Sequence, residues 1–199
     1  MTVDRSRLVV GISGASGVVY GVRVLDACRA MGVETHLIVS RAALLTLAQE
    51  TALSPAELTA KADVAYRVGD IAAAVASGSF QTLGMIVAPC SVRTMSEIAT
   101  GVTSSLLTRA ADVTLKERRP LVLMVRETPL HLGHLRTLVS LAEMGATIAP
   151  PLAAFYAKPR DLADMVDQSV GRALDLLGLS WDVVRRWGGE IAAPSGGTD

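Results

Sequence analysis

The chain of 199 residues has few aromatic residues, two cysteines and no net charge. Phe, Trp and Tyr make up 4% of the sequence, which argues against a surface that stacks nucleic-acid bases. The 19 basic residues balance the 19 acidic ones, so nothing in the composition favours a polyanionic partner such as a nucleic acid. Cys28 and Cys90 are too few and too far apart for a disulfide framework or a zinc site.

Long apolar runs are also absent. No uninterrupted stretch reaches the ~18–20 apolar residues that a membrane span needs, and the polar residues 1–7 do not begin a signal peptide. We therefore expect no membrane span and a cytoplasmic location. Half of the residues are apolar, enough for one sizeable domain over residues 1–187, followed by a tail at 188–199. So many apolar residues with so few charges favour burial between subunits.

Short aliphatic runs alternate with helical patterns along the chain. The runs predict six strands, at residues 8–12, 34–39, 64–68, 85–88, 121–125 and 147–149. Between them, helices are predicted after residue 17, over 41–51, from 55, before Gly78, over 95–98, 105–118, 130–144 and 161–177. Strands that alternate with helices at this spacing predict a doubly wound α/β fold, with helices on both faces of a parallel sheet in three layers.

Two of these helices carry distinct signals. Ser54 and Glu57 flank Pro55 as a capping box, which predicts a helix that begins at Pro55. Over 161–177, an apolar stripe predicts an amphipathic helix, and Gly178 ends it. The stripe consists of Leu162, Met165, Val166, Val170, Ala173, Leu174 and Leu177.

The residues that follow each predicted strand are the most informative for function, because open α/β sheets bind ligands outside the carboxyl ends of their strands. These are residues 13–17, Ser40, 91–94, 126–128 and 155–156. Most are glycines and hydroxyl residues. Pro89 is expected to end the fourth strand, and Ser91 to begin a helix.

The glycines of residues 11–17 are spaced Gly-x-x-Gly-x-x-Gly, which differs from the dinucleotide-binding pattern. This loop is either a tight turn required for packing or a close approach to a flat ring or a phosphate. Arg126 and Glu127 place a cation and an acid at one strand end. A surface ion pair there would contribute about 0–1 kcal/mol, whereas over a cleft the arginine suits phosphate and the acid can transfer protons.

The three histidines are interpreted as structural. His131 and His134 are three residues apart on a predicted helix, but no carboxylate or cysteine completes a metal site, and His36 lies within a strand. No metal is expected. Lys158 is interpreted as a solvated turn residue, and residues 116–119 as a charged helix end.

The strand ends together resemble the UbiX-type flavin prenyltransferases, from about Leu8 to Gly178. The motifs that carry the resemblance are Gly-Ile-Ser-Gly-Ala-Ser-Gly (11–17), Ser-Arg-Ala-Ala (40–43), Ala-Pro-Cys-Ser-Val-Arg-Thr (88–94), Ile-Ala-Thr-Gly (98–101), residues 109–123, Arg-Glu-Thr-Pro-Leu-His (126–131), Ala-Phe-Tyr (154–156) and residues 171–178. Each motif is modest alone, but their joint order is highly specific.

The resemblance implies a flavodoxin-like homo-oligomer, a dodecamer, that binds reduced FMN at subunit interfaces. Members of the family join the dimethylallyl group of dimethylallyl phosphate, or of the diphosphate, to N5 and C6 of the flavin without a metal. The product, prenylated FMN, serves UbiD-type decarboxylases.

The resemblance also assigns site residues. The FMN-contacting positions are Gly14, Ala15, Ser16, Ser40, Ser91, Val92, Arg93, Thr94 and Arg126. Tyr156 and Arg172 match positions that hold the allylic phosphate, and Lys116 and Arg109 match further phosphate contacts that a neighbouring subunit can supply. Glu127 matches a proton-relaying acid, Ser16 a hydroxyl near N5, and Trp187 an aromatic lid.

The chain departs from the family pattern at Ser104-Ser105, at residues 133–136 and at residues 151–154. These departures bear on the subunit contacts and on whether the donor is the monophosphate or the diphosphate. Two other functions remain open. One is a flavin-dependent cysteine decarboxylase, which uses an active-site histidine and a Pro-x-Met-Asn segment. The other is a non-catalytic FMN-binding accessory subunit, which would not need Glu127, Tyr156 and Arg172 together.

Overall fold

A computed structural model describes residues 6–186 as a parallel six-stranded sheet with helices on both faces. The strands are β1 (Arg7–Ile12), β2 (Glu34–Val39), β3 (Val64–Tyr66), β4 (Gly84–Cys90), β5 (Leu121–Val125) and β6 (Ala146–Ile148), in the order β3-β2-β1-β4-β5-β6. Without the short edge strand β3, this is the flavodoxin order. The predicted doubly wound, flavodoxin-like fold is confirmed, and the strand order reverses between β1 and β4.

Seven α-helices form the outer layers of the described chain. They are α1 (Val18–Ala30), α2 (Arg41–Glu50), α3 (Pro55–Thr59), α4 (Val92–Ala99), α5 (Leu106–Lys116), α6 (Leu132–Glu143) and α7 (Leu162–Asp175). Short 3₁₀ turns lie at Ala74–Ala76 and Phe155–Ala157. One core packs α1, α2, α3 and α7 against the sheet, and the other packs α4, α5 and α6 against the opposite face. The three-layer arrangement follows from these two cores.

The helix starts agree well with the sequence signals. Ser54 and Glu57 form the predicted capping box, Ser91 caps α4, and Asp161 caps α7 through its side chain. On α7 the predicted stripe is buried from Val166 onward, but Leu162 is exposed. The predicted stripe is therefore not buried at its first position, because Leu162 is the first residue of the helix.

Strand β4 runs through Pro89 to Cys90, so the expectation that Pro89 ends the strand was wrong. The register shifts between Val87 and Cys90, and Cys90 then pairs with Val125. Proline is tolerated in a strand where the ladder is interrupted in this way. The Pro89 carbonyl accepts a hydrogen bond from the backbone N–H of Ser13 at 3.1 Å, which ties β4 to the end of β1.

Most other boundaries differ from the predictions by one or two residues, for local reasons, although α4 begins three residues earlier than the predicted 95–98 and the helix predicted before Gly78 is a short 3₁₀ turn. Strand β3 stops at Tyr66 because the chain turns, and the Val68 carbonyl accepts from the first amide of α5. Helix α6 begins at Leu132 because His131 is its N-cap and accepts from the amides of Gly133 and His134. The predicted domain end at 187 and the tail 188–199 lie outside the described residues.

Several large apolar side chains on and near α6 face solvent in the protomer. Leu132, Leu135 and Val139 follow a helical stripe with 46–59% of their surface exposed. Leu152 and Phe155, which follow β6, are also exposed, with 77% and 74% of their surface accessible. Among the helices of residues 6–186, none combines the length and the apolar character needed to cross a membrane.

Candidate functional site

A cleft of about 1020 Å³ lies at the carboxyl ends of the central strands, at the switch point between β1 and β4. Its size is at the upper end of the usual range for small-molecule sites, which is ~300–1,000 Å³. It is lined by the segments after β1 (Gly14–Ser16), β2 (Ser40–Ala42), β4 (Ser91–Thr94), β5 (Val125–Thr128) and β6 (Pro150–Leu152), and by Val68, Gly69, Glu97, Ser104, Ser105, Leu107 and Thr108. All nine residues assigned to the flavin line this one cleft.

The loop after β1 approaches α2 closely. A Cβ atom on Gly14 would lie 2.3 Å from the Cβ of Ala42, so only glycine allows this contact. Gly17 has a left-handed φ of 101° and directly precedes α1. Packing therefore requires glycine in this loop, and Ala15 and Ser16 line the cleft.

Ser13 joins two corners of the cleft. Its side chain is fully buried, and its hydroxyl donates to the Pro89 carbonyl at 3.0 Å while accepting from the Ser91 amide at 2.8 Å. Because Ser91 also caps α4, this single hydroxyl fixes the position of the 91–94 corner relative to the loop after β1. The sequence analysis placed Ser13 at a strand end but gave it no individual role.

Glu50 is an acid beside the loop after β1 that the sequence analysis missed. Its carboxylate accepts from the amides of Gly17 at 2.8 Å and Val18 at 3.0 Å, at the start of α1. Partial desolvation opposes its ionisation and is the largest single influence, but hydrogen bonds from Ser16, Gly17 and Val18, with the charge of Arg126, outweigh it and lower the pKa of Glu50. Only the fold brings Glu50 back to this loop, from 33 residues along the chain.

The corner after β4 carries a polar cluster. The Ser91 hydroxyl bonds to Thr94, and one turn further along α4 the Glu97 carboxylate accepts from Arg93 Nε at 2.8 Å and from the Ser104 hydroxyl at 2.6 Å. Desolvation by itself would raise the pKa of Glu97, but these hydrogen bonds outweigh it and the pKa is lowered. Glu97 and Ser104 thereby fix Arg93 at the wall of the cleft.

Arg126 and Glu127 both line the cleft, but no ion pair joins them within the described chain. Arg126 Nε donates to the Ser16 carbonyl at 2.6 Å, and its guanidinium lies 5.7 Å from the centre of the Tyr20 ring. Arg126 thus holds the loop after β1 from across the cleft. The exposed Glu127 carboxylate accepts from the Thr128 amide at 2.9 Å.

A second cavity of about 180 Å³ adjoins the cleft, and Pro150–Leu152 line both. Arg172 lines this cavity and pairs with Asp175 at 2.6 Å. Gln168, one turn earlier on α7, also lines it and donates to the Tyr156 hydroxyl at 3.3 Å. Gln168 was not singled out from the sequence, although its i,i+4 spacing from Arg172 places both on one face of α7.

The remaining predicted residues lie elsewhere. Arg109 pairs with Asp112 at 2.7 Å on α5, and Lys116 pairs with Glu117 about 10 Å further along the same helix; neither lines the cleft of its own protomer. Trp187 lies outside the described residues.

The histidines have structural partners. The buried His36 ring contacts the Tyr66 hydroxyl and the Glu34 carboxylate, each at 2.9 Å, which confirms its structural interpretation. His131 caps α6 and stacks on His134. Residues 6–186 contain no group of three or more His, Cys, Asp or Glu side chains arranged to hold a metal ion.

The cleft suits a flavin in shape and in chemistry. Glycine and alanine at 14–15 leave room for a flat ring, and the hydroxyls of Ser40, Ser91 and Thr94 offer hydrogen bonds to polar edges. Three arginines, Arg41, Arg93 and Arg126, supply positive charge for a phosphate.

Comparisons with known proteins agree with this chemistry. The family model described as flavoprotein matches residues 2–174. The curated flavin prenyltransferase UbiX of Escherichia coli K12 is 56% identical over 186 residues, which cover 92% of this chain and 98% of that protein.

Solved structures give the same result. A crystal structure of AnUbiX (PadA1) in complex with FMN and dimethylallyl pyrophosphate has a TM-score of 0.92 at 47% identity and covers 94% of this chain and 100% of that one. A dodecameric FMN-dependent UbiX-like decarboxylase from Escherichia coli O157:H7 has a TM-score of 0.89 at 46% identity, over 91% of this chain and 98% of that one. The cysteine decarboxylase TvaF, at 17% identity and a TM-score of 0.64, shares only the fold.

Proposed function

This chain belongs to the flavin prenyltransferases of the flavoprotein family, and from that premise we propose that it transfers a dimethylallyl group from dimethylallyl phosphate or diphosphate to N5 and C6 of reduced FMN. One observation carries the assignment of the site. The nine residues matched to flavin contacts come from four separate strand ends, yet all of them line a single cleft beside a smaller cavity that contains Arg172.

The adjoining cavity is the proposed site of the allylic phosphate. Breaking the C–O bond of the donor leaves negative charge on the phosphate and positive charge on the five-carbon group. Arg172 lines this cavity, and Gln168, which also lines it, donates to the Tyr156 hydroxyl. Arg172 and Tyr156 are therefore proposed to stabilise the departing phosphate. Each charged hydrogen bond of this kind contributes about 1.5–3 kcal/mol.

Two side chains of the cleft, Glu127 and Ser16, are proposed to take part in the proton transfers of the reaction. New bonds to flavin N5 and C6 release one proton from each position; one proton is needed at the alkene carbon, and the other leaves with the phosphate. Glu127 is exposed in the cleft and can accept or return a proton, and Ser16 can donate a hydrogen bond near N5. Glu50 and Arg126 keep Ser16 in place from opposite sides.

The proposal also includes an assembly of several copies of the chain. The apolar stripe Leu132, Leu135 and Val139 and the exposed Leu152 and Phe155 offer a surface for contacts between copies, and we propose the dodecameric assembly described for the E. coli O157:H7 protein. In such an assembly Arg109 and Lys116, which do not line their own cleft, are proposed to contact a neighbouring one. Trp187 is kept as the proposed lid.

The product is proposed to be prenylated FMN for a UbiD-type decarboxylase. A cytoplasmic location belongs to the same proposal, because Cys28 and Cys90 are both free thiols, as expected in a reducing compartment.

The test is to incubate the purified protein with reduced FMN and either dimethylallyl phosphate or the diphosphate, and then to measure the mass of the released flavin. A gain of one five-carbon unit supports the assignment and identifies the donor. An unmodified flavin with both donors, despite bound FMN, would favour the accessory-subunit alternative. The cysteine-decarboxylase alternative predicts release of carbon dioxide from a peptide with a C-terminal cysteine.

A further inference from the structure

Gln168 is a buried polar residue of α7 whose side-chain amide joins two separate parts of the chain. Only 6% of its surface is exposed. Its Oε1 accepts from the Arg185 backbone N–H at 3.1 Å, and its Nε2 donates to the Arg185 carbonyl at 2.8 Å and to the Tyr156 hydroxyl at 3.3 Å. The amide therefore links α7 both to the segment that precedes the helix and to the segment that follows it.

The backbone of Arg185 determines which way round the Gln168 amide lies. Its N–H requires an acceptor and its carbonyl requires a donor, so only one orientation of the amide satisfies both. In that orientation Nε2 also faces Tyr156. An amide nitrogen has two N–H groups and accepts no hydrogen bond, so the Tyr156 oxygen is the acceptor and its own proton points away from Gln168.

The 3₁₀ turn that contains Tyr156 is held at a second point by the same part of the chain. Arg185 Nη1 donates to the carbonyl of Ala157 at 3.2 Å. The side chains of Phe155 and Tyr156 are 74% and 48% exposed in the protomer, so packing around them does little to fix the turn. The position of the Tyr156 hydroxyl therefore depends on its contact with the buried Gln168.

We propose that Gln168 is a positioning residue for the allylic donor, because it holds the Tyr156 hydroxyl with its proton directed to the donor phosphate. The proposal rests on the proposed function, since it takes Tyr156 as a ligand of that phosphate. Gln168 and Arg172 are one turn apart on α7 and line the same small cavity. Arg172 would act on the phosphate directly, and Gln168 would act through Tyr156. A hydroxyl that is already oriented does not lose freedom when the donor binds.

The experiment measures the dissociation constants of dimethylallyl phosphate and of the diphosphate by titration calorimetry. The protein is loaded with oxidised FMN, so that no transfer competes with binding. Gln168→Met has a side chain of similar length without an N–H group, and it should weaken donor binding roughly 2- to 10-fold while the FMN dissociation constant stays unchanged.

Gln168→Glu tests the direction of the hydroxyl proton. Its carboxylate still accepts from the Arg185 amide, so this variant serves even if Gln168→Met is unstable. The second carboxylate oxygen accepts from the Tyr156 hydroxyl and turns its proton away from the phosphate. Donor binding should therefore fall further, roughly 10- to 100-fold.

A double-mutant cycle with Tyr156→Phe separates this role from a merely structural one. In the Tyr156→Phe background, the loss caused by Gln168→Met should disappear and the loss caused by Gln168→Glu should shrink, because no hydroxyl remains to be oriented. The matched controls are Gln81→Met and Gln81→Glu, at an exposed glutamine that lines neither cavity; donor binding should not change.

Several results would overturn the proposal. Gln168→Met could bind the donor as tightly as the unmodified protein, or it could lose FMN and donor affinity together, which would indicate a general effect on α7. The losses from Gln168→Met and Tyr156→Phe could multiply in the double variant, and the two residues would then act independently. If the unmodified protein bound FMN but neither bound nor used a donor, the proposed function itself would fail, which is a different result from a failure at Gln168 alone.

Discussion

Replacement of Ser13 by alanine tests the claim that the two main corners of the cleft are fixed to each other by one hydroxyl. Ser13 is fully buried, donates to the Pro89 carbonyl at 3.0 Å and accepts from the Ser91 amide at 2.8 Å. In Ser13→Ala, the Pro89 carbonyl keeps a partner in the backbone amide of residue 13, whereas the Ser91 amide loses its hydrogen bond to the hydroxyl. The substitution removes only one oxygen atom, so little packing is lost.

The magnitude follows from these two bonds. Loss of the hydroxyl-to-carbonyl bond costs about 1 kcal/mol, and an amide left unsatisfied costs about 1–3 kcal/mol. The sum, about 2–4 kcal/mol, corresponds to a decrease of roughly 5–15 °C in Tm for a chain of this size. Because Ser91 caps α4 and lines the cleft, we also expect weaker FMN binding.

The assay is thermal unfolding of the flavin-free proteins at equal protomer concentration, since oligomerisation makes Tm depend on concentration. The matched control is Ser79→Ala, which removes an exposed hydroxyl bonded to Ser77 and should change stability by less than about 0.5 kcal/mol. If Ser13→Ala unfolded at the same temperature as the control and bound FMN equally well, the Ser13 hydroxyl would not fix the two corners of the cleft to each other.

Three further predictions concern the same cleft. Glu127→Gln should slow product formation while FMN stays bound; an equal loss of FMN binding would instead indicate a structural role. Gly14→Ala should weaken FMN binding and lower Tm, because the new Cβ would lie 2.3 Å from Ala42, whereas Gly69→Ala, with no atom within 4 Å of its Cβ, should not lower Tm. Glu50→Gln should lower Tm at neutral pH. Because the pKa of Glu50 is lowered in the folded protein, its carboxylate stabilises the fold at pH values above the ordinary pKa of 4.5. This contribution disappears as the pH falls through the folded-state pKa, so the Tm difference between the variant and the unmodified protein should close below about pH 4.5. A constant Tm difference from pH 7 to pH 3 would contradict this account.

Local signals in the sequence were sufficient for the fold and for most of the cleft. Hydroxyl residues that follow aliphatic runs, such as Ser40 and Ser91, cap helices α2 and α4 and line the site. This works because a parallel sheet brings the carboxyl ends of all its strands to one edge, whatever their separation along the chain.

Features that depend on distant contacts could not be predicted in the same way. Glu50 lies at the end of a helix, and only the packing of α2 beside α1 brings its carboxylate to Gly17. Pro89 reads as a strand terminator, yet a register shift accommodates it within β4. Gln168 reads as a solvent-facing polar residue of α7, but the fold buries it against Tyr156 and the backbone of Arg185.

The wall formed by Pro150–Leu152 belongs to both cavities, so the proposed flavin site and the proposed donor site share one boundary. A larger side chain at Leu152 would narrow the space for the flavin ring and for the five-carbon chain at the same time. We therefore expect variation at this segment to change both affinities together. A change of donor from monophosphate to diphosphate would have to be accommodated on the opposite side of the smaller cavity, along α7, where Arg172 can be exchanged without altering the flavin cleft.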